Sequence, residues 1–267
     1  MKLSISNIAW SEEYDTEMYE YISTCSFSGI EIAPTRLIKN LPYNHIEDGI
    51  KFAINLKERY NLEIPSMQSI WFGRQEKLFG TTDEREQLFN YTKKAIDFAN
   101  SINCKNIVFG CPKNRVINDF REEYKIALDF FRKIGDYSKS KDVNFAIEPN
   151  PAIYNTNFIN TTEEAINLVK DINNEGITIN LDLGTIIQNN EDIDIIQKNI
   201  KLISHVHISE PNLEYIQPRK LHSELIEMLN INNYRGYLSI EMKNQNDIDK
   251  VKEKINYINY IVQEVTK

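Results

Sequence analysis

No apolar run in these 267 residues approaches the roughly 20 that a membrane-spanning helix needs; the longest are about the length of a strand. Glycine and proline are scarce, at 9 and 8 residues, which excludes collagen-like and low-complexity chains. Three cysteines, Cys25, Cys104 and Cys111, are odd in number and scattered, so no disulfide framework is expected and a reducing compartment fits. Cys111 is read as an ordinary buried thiol. The N-terminal MKLSISNIAW alternates apolar and polar residues and lacks the continuous apolar core of a signal peptide, so the expected location is cytoplasmic. A basic surplus is missing too. With a net charge of −8 and a pI near 5.2 the chain is not expected to bind nucleic acid or a membrane surface. Nothing in the sequence fixes an oligomeric state, and a homo-oligomer remains open.

What is present is an alternation of strand and helix patterns from end to end. Strands are expected at Leu3–Ala9, Gly29–Ala33, Leu62–Ser69, Lys105–Gly110, Val143–Ile147, Ile177–Leu181, Ile203–Ile208 and Gly236–Ile240. Helices are expected around Tyr14–Thr24, Ile46–Tyr60, Thr82–Asn100 with Thr82 as cap, Asp119–Ser140, from Thr161 onward, Glu191–Lys201, Lys220–Leu229 and Asp247–Val265. Eight β/α units with no linker and no break in composition predict one domain over residues 1–267, an α/β chain closed into a (β/α)8 TIM barrel.

Four of the strand patterns end in a side chain able to hold a metal: FAIEP with Glu148, INLDLG with Asp182, HVHIS with His207 and LSIEM with Glu241. They stand 34, 25 and 34 residues apart, about one β/α repeat each, and in a closed barrel equivalent strand ends converge on one rim. Three carboxylates and an imidazole suit one divalent ion, Mn²⁺ or Mg²⁺ first, with Co²⁺ or Zn²⁺ admitted by the nitrogen ligand. Such an ion polarises a carbonyl and stabilises the enediolate left when a neighbouring carbon loses its proton. His205 shares a face with His207; the latter is preferred because it lies nearer the C-terminal rim.

The ordered set Glu, Asp, His, Glu, with HxHxxE at His205–Glu210 and YRGYLSIE at Tyr234–Glu241, resembles the xylose isomerase-like TIM-barrel superfamily, in particular its sugar isomerase/epimerase branch with the ketose 3-epimerases. The resemblance implies that Glu148 and Glu241 are both metal ligands and the acid/base pair, with Asp182 and His207 as further ligands, acting on a small sugar or sugar phosphate. It departs at three places: Thr185, Leu213 and Tyr154 stand where ketose 3-epimerases carry histidine, arginine and glutamate. The superfamily also holds dehydratases of inosose or dehydroshikimate, which begin with the same proton abstraction. It holds endonuclease IV too, whose trinuclear zinc site needs more histidines than the four present here. A barrel that only binds sugar is a further alternative.

Further candidates surround this set. Gln68, at the end of the third strand, and Tyr154 can contact a hydroxyl, and Trp71, Phe72 and Phe79 either wall the pocket or pack a long loop. Glu31 is read as a sugar contact or the partner of a buried cation. Lys113 and Arg115, after the fourth strand, place cations where a substrate phosphate or carboxylate would bind. Glu210 is either an acid beside the metal ligands or a solvated loop carboxylate. His45 and His222, at helix starts, are read as structural.

Overall fold

The structure, a computed structural model, describes residues 1–265. Seven parallel strands form one curled sheet: β1 (Lys2–Ser6), β2 (Phe27–Glu31), β3 (Asn106–Phe109), β4 (Asn144–Ile147), β5 (Ile177–Asp182), β6 (Ile203–Ile208) and β7 (Tyr237–Ile240). They lie in the order β2-β1-β7-β6-β5-β4-β3. The expected third strand is not a regular one. Residues 62–69 touch β2 and β3 only through bridges at Glu63, with Gly29, and at Met67, with Ile32 and Ile107. Pro65 sits in the middle of this segment and has no N–H for a ladder. The segment still spans the gap. Ile30 and Ile32 donate to Glu63 and Ser66 (2.8 and 3.1 Å), and on the other side Val108 donates to Met67 (2.7 Å). The result is a TIM barrel with one irregular stave. Gly29 permits it, since a Cβ there would come within 2.8 Å of the Pro65 ring.

The helices packed outside are α1 (Asp15–Thr24), α2 (Pro34–Leu37), α3 (Ile46–Tyr60), α4 (Thr82–Ser101), α5 (Phe120–Ser140), α6 (Thr162–Ile172), α7 (Leu183–Asn189), α8 (Asp194–Asn199), α9 (Lys220–Ile231) and α10 (Ile248–Val265). Local chemistry sets their starts. Thr81 and Thr161 each form a reciprocal capping box with a glutamate three residues on, and Asp119 caps α5. The cap of α4 is therefore Thr81, one residue before the expected Thr82, because only Thr81 has Glu84 at the required spacing. The helix expected at 191–201 is present as the shorter α8, and an unexpected helix, α7, precedes it. Glycine and β-branched residues in LGTIIQN hide α7 from a propensity reading, and it exists because Asp182 caps it, accepting from Thr185 N–H at 2.7 Å.

Both faces of each strand are buried, and they differ in kind. On β5 the residues Ile177, Ile179 and Leu181 belong to the apolar layer under the helices. Asn180 and Asp182 alternate with them and make their hydrogen bonds inside the barrel, to Glu148, His207, Thr185 and Ser209. The same alternation puts Ser4, Ser6, His205, His207 and Ser239 on the inner face, all buried. A polar barrel interior is costly unless its groups pair with one another. Among the described residues no helix is long and apolar enough to cross a membrane.

A candidate metal centre at the C-terminal rim

Register brings the strand-end residues together. Asp182 and His207 are paired neighbours across β5 and β6, and His207 lies beside Ser239 of β7. Glu148 and Glu241 follow the last residues of β4 and β7, their N–H groups bonded to Phe109 and Ile208 of the adjacent strands. One ligand atom from each of Glu148, Asp182, His207 and Glu241 lies within 4.8 Å of all the others. The four residues named from sequence thus form one cluster.

His207 is its pivot. The Nδ1 atom faces Glu148 Oε1 at 2.9 Å and Glu241 Oε2 at 3.1 Å, while Nε2 is 3.0 Å from Glu31 Oε1. Glu31 is completely buried and also accepts from Ser239 Oγ at 3.1 Å. It therefore pairs with an imidazole and is enclosed away from any sugar. A carboxylate on Nε2 fixes the ring and leaves Nδ1 toward the other donors, the usual arrangement behind a metal-ligating histidine. His205 Nε2 lies 3.2 Å from the same Glu31 oxygen but off the hydrogen-bond direction, and it is not among the four.

The carboxylates are positioned with equal care. Asp182 has both oxygens occupied, Oδ2 by the Thr185 N–H and hydroxyl and Oδ1 by the Ser209 hydroxyl. Glu148 Oε1 accepts from Asn180 Nδ2 at 2.6 Å, and its Oε2 accepts from Asn150 Nδ2 at 3.1 Å. Arg115 stands behind Asn150: its Nη2 donates to Asn150 Oδ1 (2.7 Å) and to the Glu148 carbonyl (2.8 Å). That guanidinium is wholly buried, and burial lowers its pKa to about 10. Expected as an anion contact on the rim, Arg115 is placed instead as a brace beneath Glu148. Gly110 is required here because a Cβ would sit 2.5 Å from Glu148 Oε2.

Electrostatics mark the cluster as rich in negative charge. Burial pushes the Glu241 carboxyl up to about 7, with Glu148 and Asp182 adding to the rise against the opposing His207. Asp182 is raised by burial and by Glu148. For His207, burial alone would lower the pKa, but Glu241 and Glu31 outweigh it and hold it well above the usual value. Burial would raise Glu31, and the two imidazoles together drive it well below the carboxylate range. A divalent cation fits this donor set: three buried carboxylates face one imidazole whose second nitrogen is already held.

A cleft of about 200 Å³ opens onto Glu148, Asp182 and Glu241. Gln68 lines it and donates to Ser6 Oγ at 2.5 Å; Tyr154 lines it too, and its hydroxyl accepts from Asn212 N–H at 2.8 Å. Lys113 is exposed and absent from the lining. Glu210 is buried at 3% exposure and held by Arg219 through two bonds of 2.7 and 2.6 Å, so it is neither solvated nor beside the donors. Trp71 is buried against Phe109 with its indole N–H on Thr92, Phe79 packs on Phe158, and Phe72 is 69% exposed; none of the three walls the cleft. Cys111, expected to be buried, is half-buried and lines the cleft. Sequence reasoning missed Asn180, Asn150, Ser209, Ser239 and Arg219. Asn180 and Ser239 had a signal, since they precede Asp182 and Glu241 by two and so share their faces; Asn150, Ser209 and Arg219 lie outside the strands, where contacts between distant segments decide.

A parallel barrel with carboxylates and a histidine gathered at the C-terminal ends of its strands defines a TIM barrel with a candidate metal site. Residues 19–261 match the xylose isomerase-like TIM barrel, and the chain belongs to that family. No curated protein matches it by sequence. Among solved structures it is similar to D-psicose 3-epimerase in the presence of D-fructose, at 16% identity and a TM-score of 0.81 with 99% of each chain covered. It is also similar to the apo form of 3-keto-D-glucoside 4-epimerase from E. coli (19%, TM-score 0.78, 98% of each chain). A third is an AP endonuclease, family 2, from Brucella melitensis (19%, TM-score 0.71, 92% of this chain and 94% of that one). At these identities the likeness is one of fold.

Proposed function

We propose that the protein is a divalent-metal-dependent isomerase or epimerase of a small sugar, working by proton abstraction beside a carbonyl. The observation that carries this is the placement of Glu148 and Glu241 in one cleft, each with an oxygen near His207 Nδ1. The names of similar folds, D-psicose 3-epimerase and 3-keto-D-glucoside 4-epimerase, support the substrate class.

Glu148, Asp182, His207 and Glu241 would hold the ion, which when bound supplies Lewis acidity toward the substrate carbonyl. Asp182, with both oxygens tied by Thr185 and Ser209, holds position and moves no proton. His207, gripped through Nε2 by Glu31, does the same. The proton work falls to the two glutamates: one removes the proton from the carbon beside the carbonyl, and the other returns it. Glu148 reaches the substrate with an orientation fixed from both sides by Asn180 and Asn150. Glu241 lines the cleft opposite Glu148, with its Oε2 beside His207 Nδ1, and keeps its other oxygen for the proton. No lysine or arginine lines the cleft, which does not suit a DNA backbone.

The test is metal content on chelated and reconstituted protein, followed by solvent deuterium uptake by ketoses. One divalent ion per chain, lost in Asp182→Ala and His207→Ala, with deuterium entering the substrate, is the expected result. Three ions per chain would favour a nuclease. Loss of water from the substrate would favour a dehydratase, and a folded protein that binds no metal would overturn the proposal.

A further inference from the structure

Tyr154 and Glu210 both bond to the same turn, Tyr154 through its hydroxyl and Glu210 through its backbone carbonyl. Tyr154 accepts from Asn212 N–H, while Glu210, clamped by Arg219, accepts from Gln217 N–H at 3.0 Å and through its carbonyl from Leu213 N–H at 3.0 Å. The Leu213 carbonyl in turn accepts from Lys243 N–H at 2.8 Å. Within this turn Asn212 and Leu213 both have left-handed backbones, with φ of 59° and 52°. Leucine rarely adopts that conformation, and it persists only where the surroundings over-determine it. Here they do, and the outcome is that Leu213 lines the cleft together with Val108, Cys111 and Pro112.

We infer that Leu213 sets specificity: the substrate is an uncharged monosaccharide whose end lying against Leu213 is apolar, a deoxy or methyl terminus in place of a hydroxymethyl or a phosphate. The inference rests on the sugar isomerase/epimerase reading and narrows it. A hydroxyl set against the Leu213 side chain gives up water and gains no hydrogen-bond partner from it. A phosphate would find no lysine or arginine in the lining to pair with. The size agrees: about 200 Å³ is below the roughly 300 Å³ at which pockets for larger ligands begin, so a single sugar unit fits.

The experiment compares 6-deoxyketohexoses, the parent ketohexoses and ketohexose 6-phosphates on the metal-loaded protein. Solvent deuterium uptake gives kcat/KM, and calorimetric titration gives binding. The wild type should favour a 6-deoxy sugar over its hydroxylated parent by roughly 10- to 100-fold. Leu213→Asn, a residue at ease in the left-handed region, should keep the fold and the metal while erasing most of that preference. Equal rates for deoxy and parent sugars, a preference for the phosphate, or a Leu213→Asn variant that slows both sugars alike would each overturn the inference while leaving the isomerase/epimerase reading intact. If no sugar of the panel binds or exchanges on the metal-loaded protein, the sugar reading itself falls, and this inference with it.

Discussion

Glu31 illustrates how one residue is set by chemistry around it. A carboxylate with no exposure is expensive unless paired, and here it is paired with His207 and Ser239 at 3.0 and 3.1 Å. Its negative charge keeps the proton on Nε2 and leaves Nδ1 to face Glu148 and Glu241. Glu31→Gln keeps the size but removes the charge. Metal affinity measured by calorimetric titration should then fall by roughly 10- to 100-fold, with the barrel still folded. An unchanged affinity would show that His207 needs no such partner.

At the scale of elements, helix starts follow local capping, whereas the helix pair α9 and α10 depends on a buried histidine. His222 has no exposure, its Nδ1 lies 3.0 Å from the Tyr257 hydroxyl, and burial lowers its pKa to about 4. The folded value lies below the unfolded one, so between pH 6.5 and 4 the unfolded chain binds the extra proton and stability falls as the pH falls. The full effect is on the order of 3 kcal/mol. Urea unfolding at pH 7 and pH 4.5 should lose less stability in His222→Phe than in the wild type; equal losses would assign the acid sensitivity to other groups.

For the molecule as a whole, the polar barrel interior ties stability to the metal binding proposed here. Glu241, Asp182 and His207 all have raised pKa values in the metal-free protein. A raised folded value means that each stabilises when protonated, fully below its unfolded pKa, and that this contribution is lost as the pH rises through the folded one. For Glu241 that window runs up to about 7. An ion bound as proposed would take the place of the proton, so affinity should rise with pH and binding should release protons. Melting curves with and without chelator at pH 5, 6, 7 and 8 should show a gap that widens with pH. A constant gap would mean that the ion does not compete with these protons.

The sequence by itself determined the β/α rhythm and the four side chains that cluster, because the alternation along each strand and the repeat spacing are local properties. Ile203–Ile208 was legible to the residue, and Glu148, Asp182, His207 and Glu241 stood at strand ends. Local rules failed where contacts between distant segments decide. Pro65 broke the ladder of the third strand, while bonds from β2 and β3 still closed the barrel around it. Arg115, legible only as a cation in a loop, was drawn beneath Glu148 because Asn150 and a backbone carbonyl offered it partners there. Tyr154 was drawn to the Asn212 N–H of a left-handed turn far along the chain, a contact no local rule shows. Which polar groups face each other inside a closed barrel is a matter of register and closure, and only the tertiary structure fixes those.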